Sequence, residues 1–431
     1  MIIIAALVSL IFGPICYWAF IANERRRRLY EDTPTSKTVA VFVGEVELKG
    51  EAVLSLPMKT TLTSQDAVWY SWSVEEEWRR TETVPVTRTD SNGKTYTEME
   101  ERVTSGWTTV DGFTNVKPFY LKDETGVVRI NPEKAKIEPK TTFYETCTED
   151  DPLYYKHGPR EAISDSTGNR RFSESAILLG QTIFVSGRAR VRDDAVAAEV
   201  AWDKEHPEYL ISTRTEEEIT SGVHSASVAS WVVFVLISML IFGVTFQNWV
   251  DSFWGIPVGL AALFPGWLWI VHQSMVRLKN RSKQARSNVD VELKRRYSLI
   301  TPLVDAVKGI RDYEAETQEA IAALRSQLEV KTVSDANREG VLVPVADRML
   351  AVIEKYPQLK SEPLFLNLQK NLVETEDRIA LARQYYNDTV EYVNSRCEAF
   401  PEGLVARLSG VKRQEYFHAE EFERPPVQIE V

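Results

Sequence analysis

The stretch Trp267-Leu-Trp-Ile-Val-His-Gln-Ser-Met-Val-Arg-Leu-Lys-Asn-Arg-Ser-Lys-Gln-Ala-Arg286 changes character halfway along its length. Its first half is apolar enough for lipid, and its second half is basic and suited to water. Because no proline or glycine interrupts the chain from Trp267 to Thr301, we predict one helix that continues from a membrane span into a soluble domain. At ~1.5 Å per residue, that helix is about 50 Å long.

Three apolar runs are long enough to cross a bilayer core of ~30 Å. Residues 1–23 carry no charged side chain, and the runs 226–247 and 253–274 are joined by a short link. The pair returns to one side of the membrane whether it spans twice or forms a re-entrant hairpin over 228–271. We therefore predict transmembrane helices at 1–23, 226–247 and 253–274.

Basic residues follow the first and the third run, and they predict the orientation of the chain. The positive-inside rule places the N-terminus outside and both soluble regions in the cytoplasm, so we predict a multi-pass protein of the bacterial cytoplasmic (inner) membrane. The same residues predict contact with anionic lipids of the inner leaflet; a solvated face that only sets topology is the alternative. They are Arg25, Arg26, Arg27, Arg28, Arg277, Lys279, Arg281, Lys283 and Arg286.

Composition and motifs exclude several classes of function. The net charge of −11 argues against nucleic acid as a partner, and the three cysteines are too scattered for a disulfide framework or a zinc site. The chain contains no Walker loop, Gly-x-Ser-x-Gly or His-Glu-x-x-His motif. We therefore expect no catalytic, cofactor-binding or metal-binding residues and no enzyme activity.

The region after the first run alternates between apolar and polar residues, which is typical of strands. Asp90-Ser-Asn-Gly-Lys94 and Asp123-Glu-Thr-Gly126 are predicted hairpin turns, in which Asp123 and Glu124 are turn formers rather than catalytic carboxylates. Many short strands with turns between them predict a closed or nearly closed β-barrel.

Four motifs of this region resemble the GIDE, or "beside a membrane", domain over residues 36–225. They are Val43-Gly-Glu-Val46, Val68-Trp-Tyr-Ser-Trp72, Phe119–Pro132 and Arg171–Ala189. The GIDE domain is best known from mitochondrial membrane-anchored ubiquitin ligases, in which a RING domain follows it. No Cys/His ladder for two zinc ions follows here, so the resemblance does not imply RING ligase activity.

Beyond residue 275 apolar residues recur at helical spacing, which predicts an antiparallel four-helix bundle with short elements near 344–355 and 412–421. The region 275–431 resembles the LemA family, whose members are membrane-anchored helical bundles and include a magnetosome relative implicated in shaping membranes. The motifs that carry this resemblance are Arg286–Gly309, Tyr356–Lys360, Glu374–Asn387, Phe400-Pro401 and Glu415–Glu420.

Polar residues crowd the bundle helices, and we predict that they form a network that fixes helix register. We expect Glu374, Asp377 or Arg378 to face Arg295 or Arg296. A di-metal site would need Glu-x-x-His pairs, and the sequence has none. The network residues are Asn288, Asp290, Arg295, Arg296, Glu374, Asp377, Arg378 and Asn387, with Glu376 and Asn394 beside them.

Together these patterns predict an α+β membrane protein with three transmembrane helices, a β-barrel-like GIDE domain and a four-helix-bundle LemA domain. The expected function is that of a homo-oligomeric, non-enzymatic scaffold that organises the membrane and has protein partners still unknown. The alternatives are a membrane-tethered sensor whose GIDE-like domain binds a peptide, lipid or small ligand, and an enzyme of unrecognised type.

Overall fold

The computed structural model describes residues 2–89, 95–192, 198–204, 208–246, 255–308 and 363–417. The chain divides into two units, one made of Thr35–Ser221 and the other of Met1–Pro34 together with Gly222–Val431. We call them the β unit and the helical unit. The helices are α1 (Ile2–Glu31), α2 (Glu216–Phe246), α3 (Gly255–Lys308), α4 (Pro363–Glu398) and α5 (Glu402–Leu408).

The predicted continuous helix is present, because α3 runs without a break for 54 residues. The prediction of three transmembrane helices is wrong: within the described residues one helix, Glu216–Ile237 in α2, is long and apolar enough to cross a membrane. In α1 and α3, apolar side chains pack on each other instead, with Phe20, Leu263 and Ile270 all buried. Run length alone did not distinguish a helix face that packs on protein from one that faces lipid.

This correction also affects the predicted topology. A shared cytoplasmic location for both soluble regions was derived from three crossings. With one candidate span among the described residues, that location no longer follows from the number of crossings. The side of the membrane on which each unit lies stays a prediction.

Close packing of α1 on α3 depends on Gly266. A Cβ atom at this position would lie 2.5 Å from the Tyr17 hydroxyl. We expect Gly266→Ala to lower the free energy of unfolding by ~1–3 kcal/mol through overpacking, and Tyr17→Phe to recover part of the loss. Thermal unfolding in detergent, followed by tryptophan fluorescence, measures both effects.

Gly222 on α2 provides the matched control, since a Cβ there meets nothing within 4 Å. Gly222→Ala should be neutral or slightly stabilising, because alanine is the better helix former. Equal losses for Gly222→Ala and Gly266→Ala would contradict the packing argument.

The described residues of the β unit form thirteen strands. They are β1 (Thr35–Ser36), β2 (Gly44–Val53), β3 (Met58–Lys59), β4 (Asp66–Thr89), β5 (Thr95–Thr114), β6 (Phe119–Lys122), β7 (Val127–Ile130), β8 (Lys136–Glu138), β9 (Lys140–Thr148), β10 (Ser166–Leu178), β11 (Thr182–Val191), β12 (Ala198–Ala201) and β13 (Leu210–Ser212).

Five of these strands close into the predicted barrel in the spatial order β2, β6, β7, β12, β11 and back to β2. The β7–β12 pair is parallel and the other four pairs are antiparallel. This Greek-key connectivity is that of the OB-fold. Its interior is filled by alternate residues of each strand, including Leu48, Leu121, Ile130, Val185 and Val200.

A second sheet forms from the long insertions between barrel strands, in the order β3, β4, β10, β9. β5 also pairs with β4, along the edge opposite β10. Past Trp78, β4 pairs only with β5 among the described strands, so Arg79–Thr89 and Thr95–Ser105 form a two-stranded arm. The predicted Asn-Gly turn at 90–94 lies outside the described residues; Thr89 before it pairs with Thr95 after it.

The second predicted turn is held by Asp123, as expected for a turn former. Its carboxylate accepts hydrogen bonds from Thr38, Thr125 and the Gly126 amide, at 2.6–3.0 Å. Burial raises the pKa of Asp123, but the hydrogen bonds from Thr125 and Thr38 outweigh it and lower the pKa to about 2. The turn and the segment before β2 are therefore fastened by an ionised carboxylate.

This depressed pKa predicts a pH-dependent effect of Asp123→Asn. A carboxylate whose folded pKa is lowered stabilises the fold above its unfolded pKa, near 3.8, and the contribution is lost as the pH falls toward about 2. We expect the variant to be less stable than the parent at pH 7 and the gap to narrow below pH ~4. Urea unfolding at several pH values measures the gap, and a constant gap would contradict the assignment.

In the helical unit, α3 and α4 form an antiparallel pair, since residues 271–278 pack near 393–397 while Glu292 meets Arg378. The four-helix bundle is not supported: the described part of the LemA region contains this pair and the short α5. The element predicted near 344–355 lies outside the described residues. The one predicted for 412–421 is wrong over 412–417, which is not helical, and residues 418–421 lie outside the described residues.

Candidate functional site

Charged side chains from three helices and the turn after α1 meet within the helical unit. We call this set the charge cluster; it consists of Glu24, Arg27, Arg28, Glu31, Asp32, Arg396 and Glu402. The first five come from the end of α1 and the residue after it, and the others from α4 and α5. The cluster thus joins the N-terminal helix to the C-terminal helices.

Arg28 lies at the centre of the cluster and is only 2% exposed. Its Nε donates to Glu24 Oε1 at 3.1 Å, one helical turn earlier, and its Nη2 donates to Glu402 Oε1 at 2.8 Å. Burying a guanidinium is costly unless carboxylates accept hydrogen bonds from it, and Arg28 has one such carboxylate on each side. Arg28 therefore links α1 to the first residue of α5.

Arg396 makes the second link between the same parts. Its Nη2 and Nε donate to Asp32 Oδ1 at 3.0 and 3.1 Å, and Nη2 also donates to Glu31 at 3.1 Å. Its Nη1 donates to both carboxylate oxygens of Glu402 at 3.1 and 3.2 Å. Arg396 thus contacts the end of α1 and the start of α5 together, and its planar, multi-donor geometry suits this arrangement.

Hydroxyl groups and a fourth arginine connect the cluster to α2 and α3. Ser227 of α2 donates to Glu24 Oε2 at 3.2 Å, and Ser274 of α3 donates to Asp32 Oδ2. Arg281, also on α3 and buried, donates to the Asp32 carbonyl oxygen. All five helices therefore make polar contacts at this point.

The electrostatics of the cluster are mutually compensating. Burial raises the pKa of Glu402, but the charges of Arg28 and Arg396 outweigh it and leave the pKa below its ordinary value. For Glu24, burial is again outweighed, here by Arg27 and Arg28. Both carboxylates are thus ionised at neutral pH, and their stabilising contribution declines as the pH falls below ~4.5.

Nine basic residues were predicted to form one membrane-surface group. In the structure they differ in exposure and in their contacts. Arg25, Arg26, Lys283 and Arg286 are exposed, while Arg277 and Lys279 are half-buried. Arg27, Arg28 and Arg281 belong to or contact the charge cluster. Glu24, Asp32, Arg396 and Glu402 were not among the predicted site residues. One local signal was available, the placement of Glu24 three and four residues before Arg27 and Arg28.

Ion pairs cross between α3 and α4, where the polar network was predicted. Arg378 donates to Glu292 Oε1 at 2.9 and 3.0 Å, and Arg296 pairs with Glu376 at 2.8 Å. Arg295 approaches Glu292 at 3.9 Å. Glu374 and Asp377 are exposed, and Asn288 and Asp290 are half-buried. The acidic partners in these pairs are Glu292 and Glu376, so the expected Glu374 or Asp377 contacts do not form.

Two asparagines on α4 form hydrogen bonds with the main chain of the segment 411–417. Asn394 donates to the carbonyl oxygen of Gln414 and accepts from its amide, at 3.0 and 2.9 Å. Asn387 does the same for Phe417 at 3.1 and 2.7 Å. Asn387 and Asn394 are seven residues apart on a helix, which is a distance of about 10 Å. Gln414 and Phe417 are three residues apart, and an extended chain of three residues also spans about 10 Å. These side chains provide the hydrogen bonds that a helix would have made internally.

No group of three or more His, Cys, Asp or Glu side chains among the described residues is placed to hold a metal ion. In the β unit, Arg170 and Glu76 form a fully buried pair at 2.9 Å, also bonded to Ser166 and to main-chain carbonyls. These partners saturate the pair, as expected of a structural contact.

Comparison with known proteins agrees with this two-part architecture. Residues 285–431 match the LemA family model, and residues 90–244 match the GIDE model, which is described as an E3 ubiquitin ligase. Protein LemA of Metamycoplasma hominis is 26% identical over 156 residues, which are 36% of this chain and 71% of that protein.

Magnetosome proteins are also similar over a shorter stretch. Magnetosome protein MamQ 2 of Paramagnetospirillum magneticum is 39% identical over 70 residues, and MamQ of Magnetospirillum gryphiswaldense is 35% identical over 71 residues. Each match covers 16% of this chain and spans about a quarter, 26%, of the magnetosome protein. The chain carries a LemA-family domain at its C-terminus and a GIDE domain before it.

Proposed function

We propose that this protein is a non-enzymatic scaffold of the bacterial cytoplasmic membrane, which self-associates and displays its GIDE and LemA domains beside the bilayer. The observation that carries the proposal is the charge cluster, because it fastens the LemA helices to the apolar helices at fixed points. A domain that is fixed to its anchor can transmit shape or spacing to the membrane. A domain on a loose linker cannot.

An exposed apolar face supports self-association within the membrane. The part of α2 from Val228 to Leu236 leaves Val228, Trp231, Val232, Val233 and Leu236 between 39% and 57% exposed. A soluble monomer rarely exposes so contiguous an apolar face. Lipid and a second copy of the chain are the natural contacts for it, and aromatic side chains such as Trp231 suit either one.

Native mass spectrometry of the full chain, extracted in mild detergent, tests the proposal. We expect a defined oligomer that persists on dilution, and expect Trp231→Ala with Leu236→Ala to shift it toward monomer. Leu56→Ala, which truncates an exposed leucine of the β unit (84% exposed), is the control and should leave the mass unchanged. A monomer at every concentration would contradict the scaffold.

A second function, that of a membrane-tethered sensor, has support from the barrel alone. OB-type barrels commonly bind extended ligands on the face formed by their second and third strands, here β6 and β7. On that face Arg129 lies 3.7 Å from Glu199, which also pairs with Arg190, so its charges are partly neutralised within the barrel. A ligand retained in the mass spectra by a monomeric protein would favour the sensor.

A further inference from the structure

Three large apolar side chains are exposed along one side of α5 and the turn before it. Phe400 is 85% exposed, Leu404 53% and Leu408 84%. Leu404 and Leu408 are four residues apart and lie on the same face of α5, and Phe400 lies in the turn just before the helix. The opposite face is buried, since Val405 and Ala406 pack against α3. We call these three exposed side chains the apolar stripe. Because apolar side chains that cluster at a surface mark a contact site, we expect the stripe to be covered by another surface.

The charge cluster fixes the position of this stripe relative to α2. Ser227 donates to Glu24, Glu24 accepts from Arg28, and Arg28 donates to Glu402, the first residue of α5. Ser227 lies within the candidate span Glu216–Ile237, directly before its apolar part, which starts at Val228. The start of α5 is therefore held at the polar end of that apolar part, where lipid headgroups would lie if α2 is in the bilayer.

Basic side chains accompany the stripe. Arg407 on α5 and Lys412 just beyond it are exposed, and the ammonium group of Lys279 lies 3.4 Å from the carbonyl oxygen of Gly410. An apolar face with basic residues beside it suits a surface that is both apolar and anionic. A second copy of the same face would instead bring like charges together.

We propose that the apolar stripe inserts into the interfacial region of a bilayer, with Arg407, Lys412 and Lys279 contacting anionic lipid headgroups. The inference rests on the membrane association of the proposed function but not on its oligomeric part. It assigns two roles to α5. The helix packs within the LemA domain, and its exposed side binds the lipid surface.

Fluorescence of the full chain in lipid vesicles tests this proposal. Leu408→Cys, in a background of Cys16→Ser, Cys147→Ala and Cys397→Ser, is labelled with the environment-sensitive dye NBD. In vesicles that contain phosphatidylglycerol we expect a shift of emission to shorter wavelength and loss of emission when spin-labelled lipid is included. Thr97→Cys on the exposed arm is the matched control and should show neither change.

Each outcome decides the matter. Water-like emission from position 408 would overturn the proposal, and so would a shifted emission that spin-labelled lipid does not quench, which is the result expected if a second copy covers the stripe. Arg407→Gln with Lys412→Gln should reduce quenching in anionic vesicles. No reduction would overturn the headgroup contact. Native mass spectrometry of the same sample reports the oligomer separately, so either proposal can fail alone.

Discussion

Replacement of Arg28 with alanine is expected to lower the free energy of unfolding of the helical unit by about 3 kcal/mol, because the buried carboxylates of Glu24 and Glu402 each lose one of their two arginine partners. Glu24 and Glu402 are 5% and 8% exposed, so water cannot fully replace the lost guanidinium. Arg28→Lys should recover only part of the loss, since an ammonium group cannot reach both carboxylates in the same way. Thermal and denaturant unfolding in detergent give the measurement.

Arg25, three residues earlier on the same helix, is the matched control. It is exposed, and Arg25→Ala should change the free energy of unfolding by no more than about 0.5 kcal/mol. If the four consecutive arginines acted only as topology signals, both variants would unfold alike and differ only in membrane orientation. Equal stability of the two variants would remove the structural role of Arg28.

The second large effect is expected in the β unit. Arg170 and Glu76 are both fully buried, and Arg170→Leu leaves the Glu76 carboxylate inside the sheet with no cation. We expect a loss of about 3–5 kcal/mol. Glu76→Leu combined with Arg170→Leu should be less damaging than Arg170→Leu alone, because an apolar pair needs no compensating charge. Urea unfolding monitored by tryptophan fluorescence compares the variants.

The neighbouring Arg171 provides the control for this pair. It pairs with Glu75 on the other face of the sheet, where both side chains are more than a quarter exposed. A partly exposed pair contributes about 0–1 kcal/mol, so Arg171→Ala should have a small effect. A double variant as unstable as Arg170→Leu alone would show that packing, rather than charge, determines the loss.

Local patterns predicted the elements whose structure depends on nearby residues. The unbroken run from Trp267 to Thr301 predicted α3, and the alternation around Asp123–Gly126 predicted the β6–β7 hairpin. Both features depend on helix breakers, turn formers and periodicity within a few residues, and these are visible in the sequence. The barrel followed from the number of strands. Its closure through the parallel β7–β12 pair joins distant segments and was not predictable from spacing.

Features that depend on distant partners were missed for the same reason. Four consecutive arginines look equivalent in the sequence, yet only the fold brings Glu402 to Arg28 and leaves Arg25 in solvent. The helix forecast for 412–417 failed because Asn387 and Asn394 bind that main chain from another helix. The span count failed because apolar composition is the same for a packed face and a lipid-facing one, as Phe20 and Ile270 illustrate.

The pairing of Arg28 with Glu402 has a consequence for biosynthesis, because 374 residues separate the two partners along the chain. At ~5–20 residues per second, the ribosome needs roughly 20–75 s to deliver the second after the first. During that interval Arg28 lacks Glu402, and Arg25 to Arg28 form a basic run beside an apolar segment. The run is thus available to guide insertion of the nascent chain early, and Arg28 fastens the mature protein later.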